Sequence, residues 1–182
     1  YYYVHHPEDV YNYYLDLINS VSLPVYLYNN PKFQGYEITF DLIRRLKESG
    51  LRGIKDATFD IMTHATYQRL LVDEEFDVVL GTEAMLLSAW PLGCRAFIPG
   101  IANAMPEIVV ELYRRAEEGE LEEFRRTQFK VNRLREIMYL SRSTQLAVYT
   151  VLELRGILAA YPRRPFTPAT SEEKEVMRRA LS

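Results

Sequence analysis

A lysine stands where a short strand-forming run stops, in Gly53-Ile54-Lys55-Asp56-Ala57-Thr58. Burying an ammonium is costly, and a desolvated lysine tends to shed its proton and become an amine nucleophile. Such an amine attacks carbonyl carbons and forms Schiff bases. The same position equally suits a strand-end lysine whose stem lies along apolar neighbours while its head reaches water. Earlier in the chain a second run, Leu23-Pro24-Val25-Tyr26-Leu27-Tyr28-Asn29-Asn30-Pro31, also ends in a polar cluster and a turn, and Tyr28 falls there where Lys55 falls in its own run. If the two runs are neighbours in a parallel sheet, their carboxyl ends converge, and a phenol able to pass protons stands beside an amine. A tyrosine on a strand also serves as a packing residue.

The elements that must carry these residues alternate. Glu8 to Asn19 puts Val10, Tyr13, Tyr14, Leu17 and Ile18 on one helical face, and the strand Pro24 to Tyr28 follows. A second amphipathic helix, Ile38 to Glu48, stops at Gly50, where a left-handed cap is expected. Next come the strand ending at Lys55, a helix from about Asp60 to Leu71, the strand Phe76 to Leu80, a helix from Glu83 to Trp90 and the strand Arg95 to Ile98. Strand-then-helix alternation implies parallel strands with right-handed crossovers. Beyond Met105 the pattern is helical: Pro106 to Glu118, Glu120 to Leu140 and Ser143 to Ala159, then the proline-rich crossing Tyr161 to Pro168, and a last short helix for which Thr170 and Glu173 form a capping box.

The chain has 182 residues, 48% of them apolar and 26% charged, which is the composition of a folded domain with one sizeable core. A formal charge of -3 argues against a phosphate-tracking surface, so no nucleic-acid partner is expected despite fourteen tyrosines. Arg114-Arg115, Arg125-Arg126 and Arg163-Arg164 sit among glutamates and read as solvated, ion-paired faces. The single cysteine, Cys94, cannot form an internal disulfide, which fits a reducing, cytoplasmic setting. No apolar run reaches the length of a membrane span, so no membrane partner is expected. His5, His6 and His64 show no metal-ligand spacing with cysteines or carboxylates. Trp90 reads as helix-end packing, and Gly93, Pro99 and Gly100 form no glycine-rich nucleotide fingerprint.

Four segments together, Tyr28-Asn29-Asn30-Pro31 with Gly35, Gly53-Ile54-Lys55-Asp56, Gly81-Thr82-Glu83 and Phe97-Ile98-Pro99-Gly100-Ile101-Ala102-Asn103, resemble the pyruvate-dependent class I aldolases of the dihydrodipicolinate synthase and N-acetylneuraminate lyase family, in that family's order and near its spacing. The resemblance implies a (β/α)8 barrel that works without cofactor or metal. It implies that Lys55 condenses with the keto group of pyruvate or another 2-oxo acid and that Tyr28 relays protons, with Tyr3 as a second relay tyrosine reaching across a subunit contact. Gly81, Glu83, Ile98 and Gly100, with Phe33 and Gln34, would surround the substrate. A homo-oligomer, a dimer of dimers, is the implied assembly.

The resemblance also implies an incomplete barrel. Four strands are visible where eight are needed, and Tyr1 matches the loop after the family's fourth strand. Residues 1–119 would then be the second half of the barrel, strands five to eight, and residues 120–182 a helical extension. The missing half-barrel, as partner or as preceding chain, would carry the segment that binds the 2-oxo acid carboxylate. Phe33 takes the place of the arginine with which dihydrodipicolinate synthases bind their aldehyde's carboxylate, and Glu83 stands alone where sialic-acid lyases carry two acidic residues. The reading is therefore a Schiff-base-forming lyase, a 2-keto-3-deoxy sugar acid aldolase or dehydratase, with Glu83 or Gln34 contacting hydroxyls. Glu83 serves equally as a carboxylate at a helix N-terminus. The alternatives are dihydrodipicolinate synthase activity and a non-catalytic half-barrel used in assembly.

Overall fold

Three four-residue strands, β1 (Tyr26–Asn29), β2 (Gly53–Asp56) and β3 (Asp77–Leu80), pair in parallel in the order β1-β2-β3. The computed structural model that defines them describes Tyr3 and residues 5–182. The register is Tyr26, Gly53, Asp77 across the first row and Asn29, Asp56, Leu80 across the last. Because strand side chains alternate, Leu27, Ile54 and Val78 share one face with Asn29 and Asp56, while Tyr26, Tyr28 and Lys55 share the other. The first face is buried beneath helices: Leu27 and Ile54 cluster with Leu42, Ile43, Leu46, Leu71 and Phe76. Each such side chain contributes about 1.5–3 kcal/mol by leaving water.

The crossover helices start where the sequence supplies caps. Helix α1 (Pro7–Ser20) begins at a proline in its first turn, behind a capping box of His6 and Asp9. After the single turn α2 (Pro31–Gln34), helix α3 (Phe40–Glu48) is capped by Thr39, whose hydroxyl accepts from Leu42 N. Helix α4 (Ile61–Leu71) is capped by Asp60, whose carboxylate accepts from Met62 N and is held below the usual carboxylate range by its bonds to Thr63 and Met62.

Two expectations change in residues 83–98. The helix expected from Glu83 to Trp90 is broken into a 3-10 turn (Glu83–Met85), one turn of α-helix, α5 (Leu86–Ala89), and a 3-10 turn (Trp90–Leu92). Pro91 and the left-handed Gly93 end it. The expected fourth strand, Arg95 to Ile98, shrinks to one parallel bridge between Leu80 and Phe97, with Leu80 N donating to Ala96 O and Ile98 N to Leu80 O. The 3-10 turn Gly100–Asn103 follows Pro99 at once and ends the extended run. Direction and neighbour are as expected; the length is not.

By its packing the chain forms two units, residues 1–98 and 99–182. In the second unit α6 (Pro106–Glu118) packs on α7 (Leu121–Met138) and on the 3-10 turn Gly100–Asn103. The second unit adds α8 (Thr144–Leu154) and α9 (Ser171–Leu181), and buries Leu112, Val131, Ala147, Val151 and Met177. Helix α8 stops before the expected Ala159 because Gly156 turns left-handed at φ 68°. The Thr170 and Glu173 capping box forms as expected, and the same Glu173 pairs with Arg142.

Candidate active site

Tyr28 and Lys55 are register partners on adjacent parallel strands, next to the carboxyl ends of β1 and β2. They point to the same face, and Lys55 Nζ lies 4.2 Å from the centroid of the Tyr28 ring. The lysine is half-buried and the tyrosine 48% exposed, so the pair is open to a ligand. One row below, Gly53 has no side chain because the Tyr26 ring lies across it: a Cβ there would sit 2.3 Å from Tyr26 Cε1 and 2.7 Å from Asp77 O. The Tyr26 hydroxyl reaches over to donate to Asp77 Oδ2, and that bond, with partial burial, raises its pKa.

Tyr3 and Tyr28 line one cavity of about 580 Å³, together with Phe33 and Gln34. Phe33 is exposed, with the Lys32 ammonium 5.4 Å above its ring, so the residue at the arginine position offers an apolar face. Gln34 is buried, and its amide is committed within the loop: Nε2 donates to Asn29 Oδ1 and Tyr36 O, and Oε1 accepts from Asn30 N. These bonds tie the loop together, and Gln34 remains on the wall of the cavity.

The loop after β3 closes on the other side of the lysine strand. Gly81 N donates to Asp56 O at 2.7 Å, and a Cβ at Gly81 would lie 2.6 Å from that same oxygen. Thr82 caps the following turn by accepting from Ala84 N, and Glu83 is buried in that turn's first position. Ile98 is exposed at the end of the Phe97 bridge. Gly100 is the second residue of the second unit, and a Cβ there would meet nothing within 4 Å.

Behind the sheet runs a polar network that spacing alone does not reveal. Asp56 Oδ2 meets His64 Nδ1 at 2.9 Å, both fully enclosed, while Asp56 Oδ1 accepts from Thr58 N and Oγ1. Burial alone would lower the His64 pKa; the bonds to Asp56 and Cys94 outweigh it and lift the value to about 9. Asn29 Nδ2 donates to Tyr67 Oη at 3.1 Å, and burial first, then the nearby Asp56 charge, pushes that phenol up to about 12. Among the described residues no group of three or more histidines, cysteines and carboxylates could hold a metal, and no helix is long and apolar enough to cross a membrane.

Fold and site together define an α/β protein of parallel strands and crossover helices, with an amine and a phenol paired at the strand ends. The chain belongs to the dihydrodipicolinate synthetase family, whose model matches residues 1–182. It is 31% identical to a 4-hydroxy-tetrahydrodipicolinate synthase of Methanospirillum hungatei over 91% of this chain and 57% of the relative. It is 30% identical to a 2-dehydro-3-deoxy-D-gluconate/2-dehydro-3-deoxy-phosphogluconate aldolase of Thermoproteus tenax over 93% of this chain and 54% of the relative. The solved dihydrodipicolinate synthase of Bacteroides thetaiotaomicron superposes on all of this chain, and on 63% of its own, with TM-score 0.88 at 27% identity. The chain thus spans somewhat more than half the length of the curated relatives it matches.

Proposed function

We propose that this chain supplies the Schiff-base machinery of a lyase acting on 2-oxo acids, with Lys55 as nucleophile and Tyr28 as proton relay. The observation that carries the reading is the pairing of Lys55 Nζ and the Tyr28 ring, 4.2 Å apart on one face at the strand ends. The Lys55 amine adds to the carbonyl carbon of the 2-oxo acid, and the carbonyl oxygen leaves as water after protonation. The resulting iminium draws electrons from the adjacent carbon, so a carbon–carbon bond there can form or break. Each half of that sequence moves protons on and off atoms near the amine, and the Tyr28 hydroxyl is the proposed carrier. Tyr3, on the wall of the same cavity, is the proposed second relay.

The substrate side of the reading rests on Phe33. The Phe33 ring itself gives an aldehyde carboxylate no charge-assisted partner, the adjacent cation being the Lys32 ammonium 5.4 Å from that ring, and on the Phe33 position a 2-keto-3-deoxy sugar acid is favoured over aspartate semialdehyde. Cleavage of 2-keto-3-deoxygluconate should exceed condensation with the semialdehyde, and the reverse preference would return the protein to dihydrodipicolinate synthesis.

The residues are proposed to be the carboxyl-terminal half of a (β/α)8 barrel. Support comes from the Tyr26 and Tyr28 face of the sheet, where both rings remain 40% and 48% exposed, and from the length of the relatives. An uncovered sheet face and an unpaired strand edge normally find a partner or aggregate. Residues 1–182 alone should therefore self-associate in sedimentation and fail to trap pyruvate, whereas the completed barrel should sediment as a defined oligomer and trap pyruvate. The deciding experiment for the chemistry is borohydride reduction with pyruvate: a three-carbon adduct on Lys55 supports it. An adduct on another residue, or none in an active preparation, would count for a non-catalytic or different use.

A further inference from the structure

The asparagine that follows the Tyr28-Asn29 pair touches the phenol itself. Asn30 Nδ2 donates to Tyr28 Oη at 2.9 Å. Its backbone N–H donates to Gln34 Oε1 at 2.8 Å, and Gln34 Nε2 donates onward to Asn29 Oδ1 and Tyr36 O. Asn29 in turn is anchored to Tyr67 behind the sheet, and its carbonyl accepts from Ala57 N at 2.8 Å, two residues beyond Lys55. Asn30 is buried, yet it lines the same cavity as Tyr28 and Tyr3. The two consecutive asparagines thus serve opposite sides of one strand end.

We propose that Asn30 is a positioning residue that fixes the direction in which Tyr28 presents its proton. An amide NH₂ can only donate, whereas a phenol oxygen both accepts and donates. Once Tyr28 Oη accepts from Asn30, its own hydrogen is left for a partner on the cavity side. When that hydrogen departs, the oxygen keeps a preorganised donor already in place, which costs no reorganisation during the reaction. The Gln34 bond to the Asn30 backbone holds this donor in position without using the side chain. The inference rests on the reading of Tyr28 as a proton relay.

The test uses the full-length protein and the variants Asn30→Asp, which fills the same space but can only accept, and Asn30→Leu, which does neither. Neither change removes the backbone bond to Gln34, and melting temperatures check that the fold survives. The carbon–oxygen stretch of ring-labelled tyrosine, assigned to Tyr28 by its loss in Tyr28→Phe, reports whether the phenol oxygen accepts or donates. Exchange of the C3 hydrogens of pyruvate with deuterated water, followed by NMR, reports proton transfer on the imine. Both variants should shift the Tyr28 band, Asn30→Asp to the donating position, and slow exchange about tenfold or more while leaving KM for pyruvate little changed. An unmoved band in both variants, or undiminished exchange in both while Tyr28→Phe is impaired, would overturn the Asn30 role alone. Undiminished exchange in Tyr28→Phe would overturn the relay and the Asn30 role with it.

Discussion

The two faces of the three-stranded sheet carry opposite chemistry. On the helix-covered face Leu27 and Ile54 are completely enclosed, and even the polar Asn29 and Asp56 keep only 2% of their surface. On the other face Tyr26 and Tyr28 remain 40% and 48% exposed and Lys55 is half-buried. The strands are four residues long, so one alternation of side chains separates a packed interior from the more exposed face on which the proposed nucleophile and relay stand.

Substitutions on the two faces should therefore fail in different ways. Lys55→Met should abolish turnover and the borohydride adduct while leaving the melting temperature near that of the parent; an adduct that persisted would show the nucleophile to be elsewhere. Tyr28→Phe should slow the chemical step by about 10²–10⁴-fold at unchanged stability, as measured by single-turnover kinetics. Full turnover in that variant would leave Tyr28 as a packing residue and remove half of the contrast.

On the covered face the order of effects reverses, with stability suffering first. Asp56→Ala would leave the enclosed His64 ring and Thr58 without their carboxylate partner and should cost about 1–3 kcal/mol in denaturant unfolding. The companion test is pH. The His64 pKa is raised from 6.5 to about 9 by folding, so its contribution is complete below about 6.5 and is lost as pH rises through about 9. Melting temperature should fall over that window in the parent, and the fall should flatten in His64→Leu. The mildest expected change is on the open face: Tyr26→Phe removes one exposed bond to Asp77 and should cost about 1 kcal/mol or less.

Much of this division was legible in the sequence, for reasons that can be named. Apolar runs stopped by Lys55 and by Tyr28 gave both strands and their relative direction, because alternation and turn residues leave few other placements. The Thr170 and Glu173 box marked a helix start that the structure keeps, and the helix expected from about Asp60 begins at that cap. The fourth strand was overestimated because a run such as Arg95 to Ile98 looks the same whether it pairs along its length or at Phe97 alone. The Asp56 and His64 pair was invisible because the loop between them sets their meeting, and no periodicity records a loop's path. The bonds of Gln34 were invisible for the same reason: only the folded turn brings its amide onto Asn29, Asn30 and Tyr36.

Gly53 and Gly81 give the lysine strand a history it cannot easily leave. One position is roofed by the Tyr26 ring and the other is pressed against the Asp56 carbonyl, so a single methyl at either would displace the backbone on which Lys55 rides. Descendants of this sequence are consequently barred from retuning the amine by editing its own strand or the residue that follows the neighbouring one. On the proposed reading, divergence toward new aldehydes would run outward, through Phe33 and Ile98, whose exposed side chains can be exchanged without moving the strand.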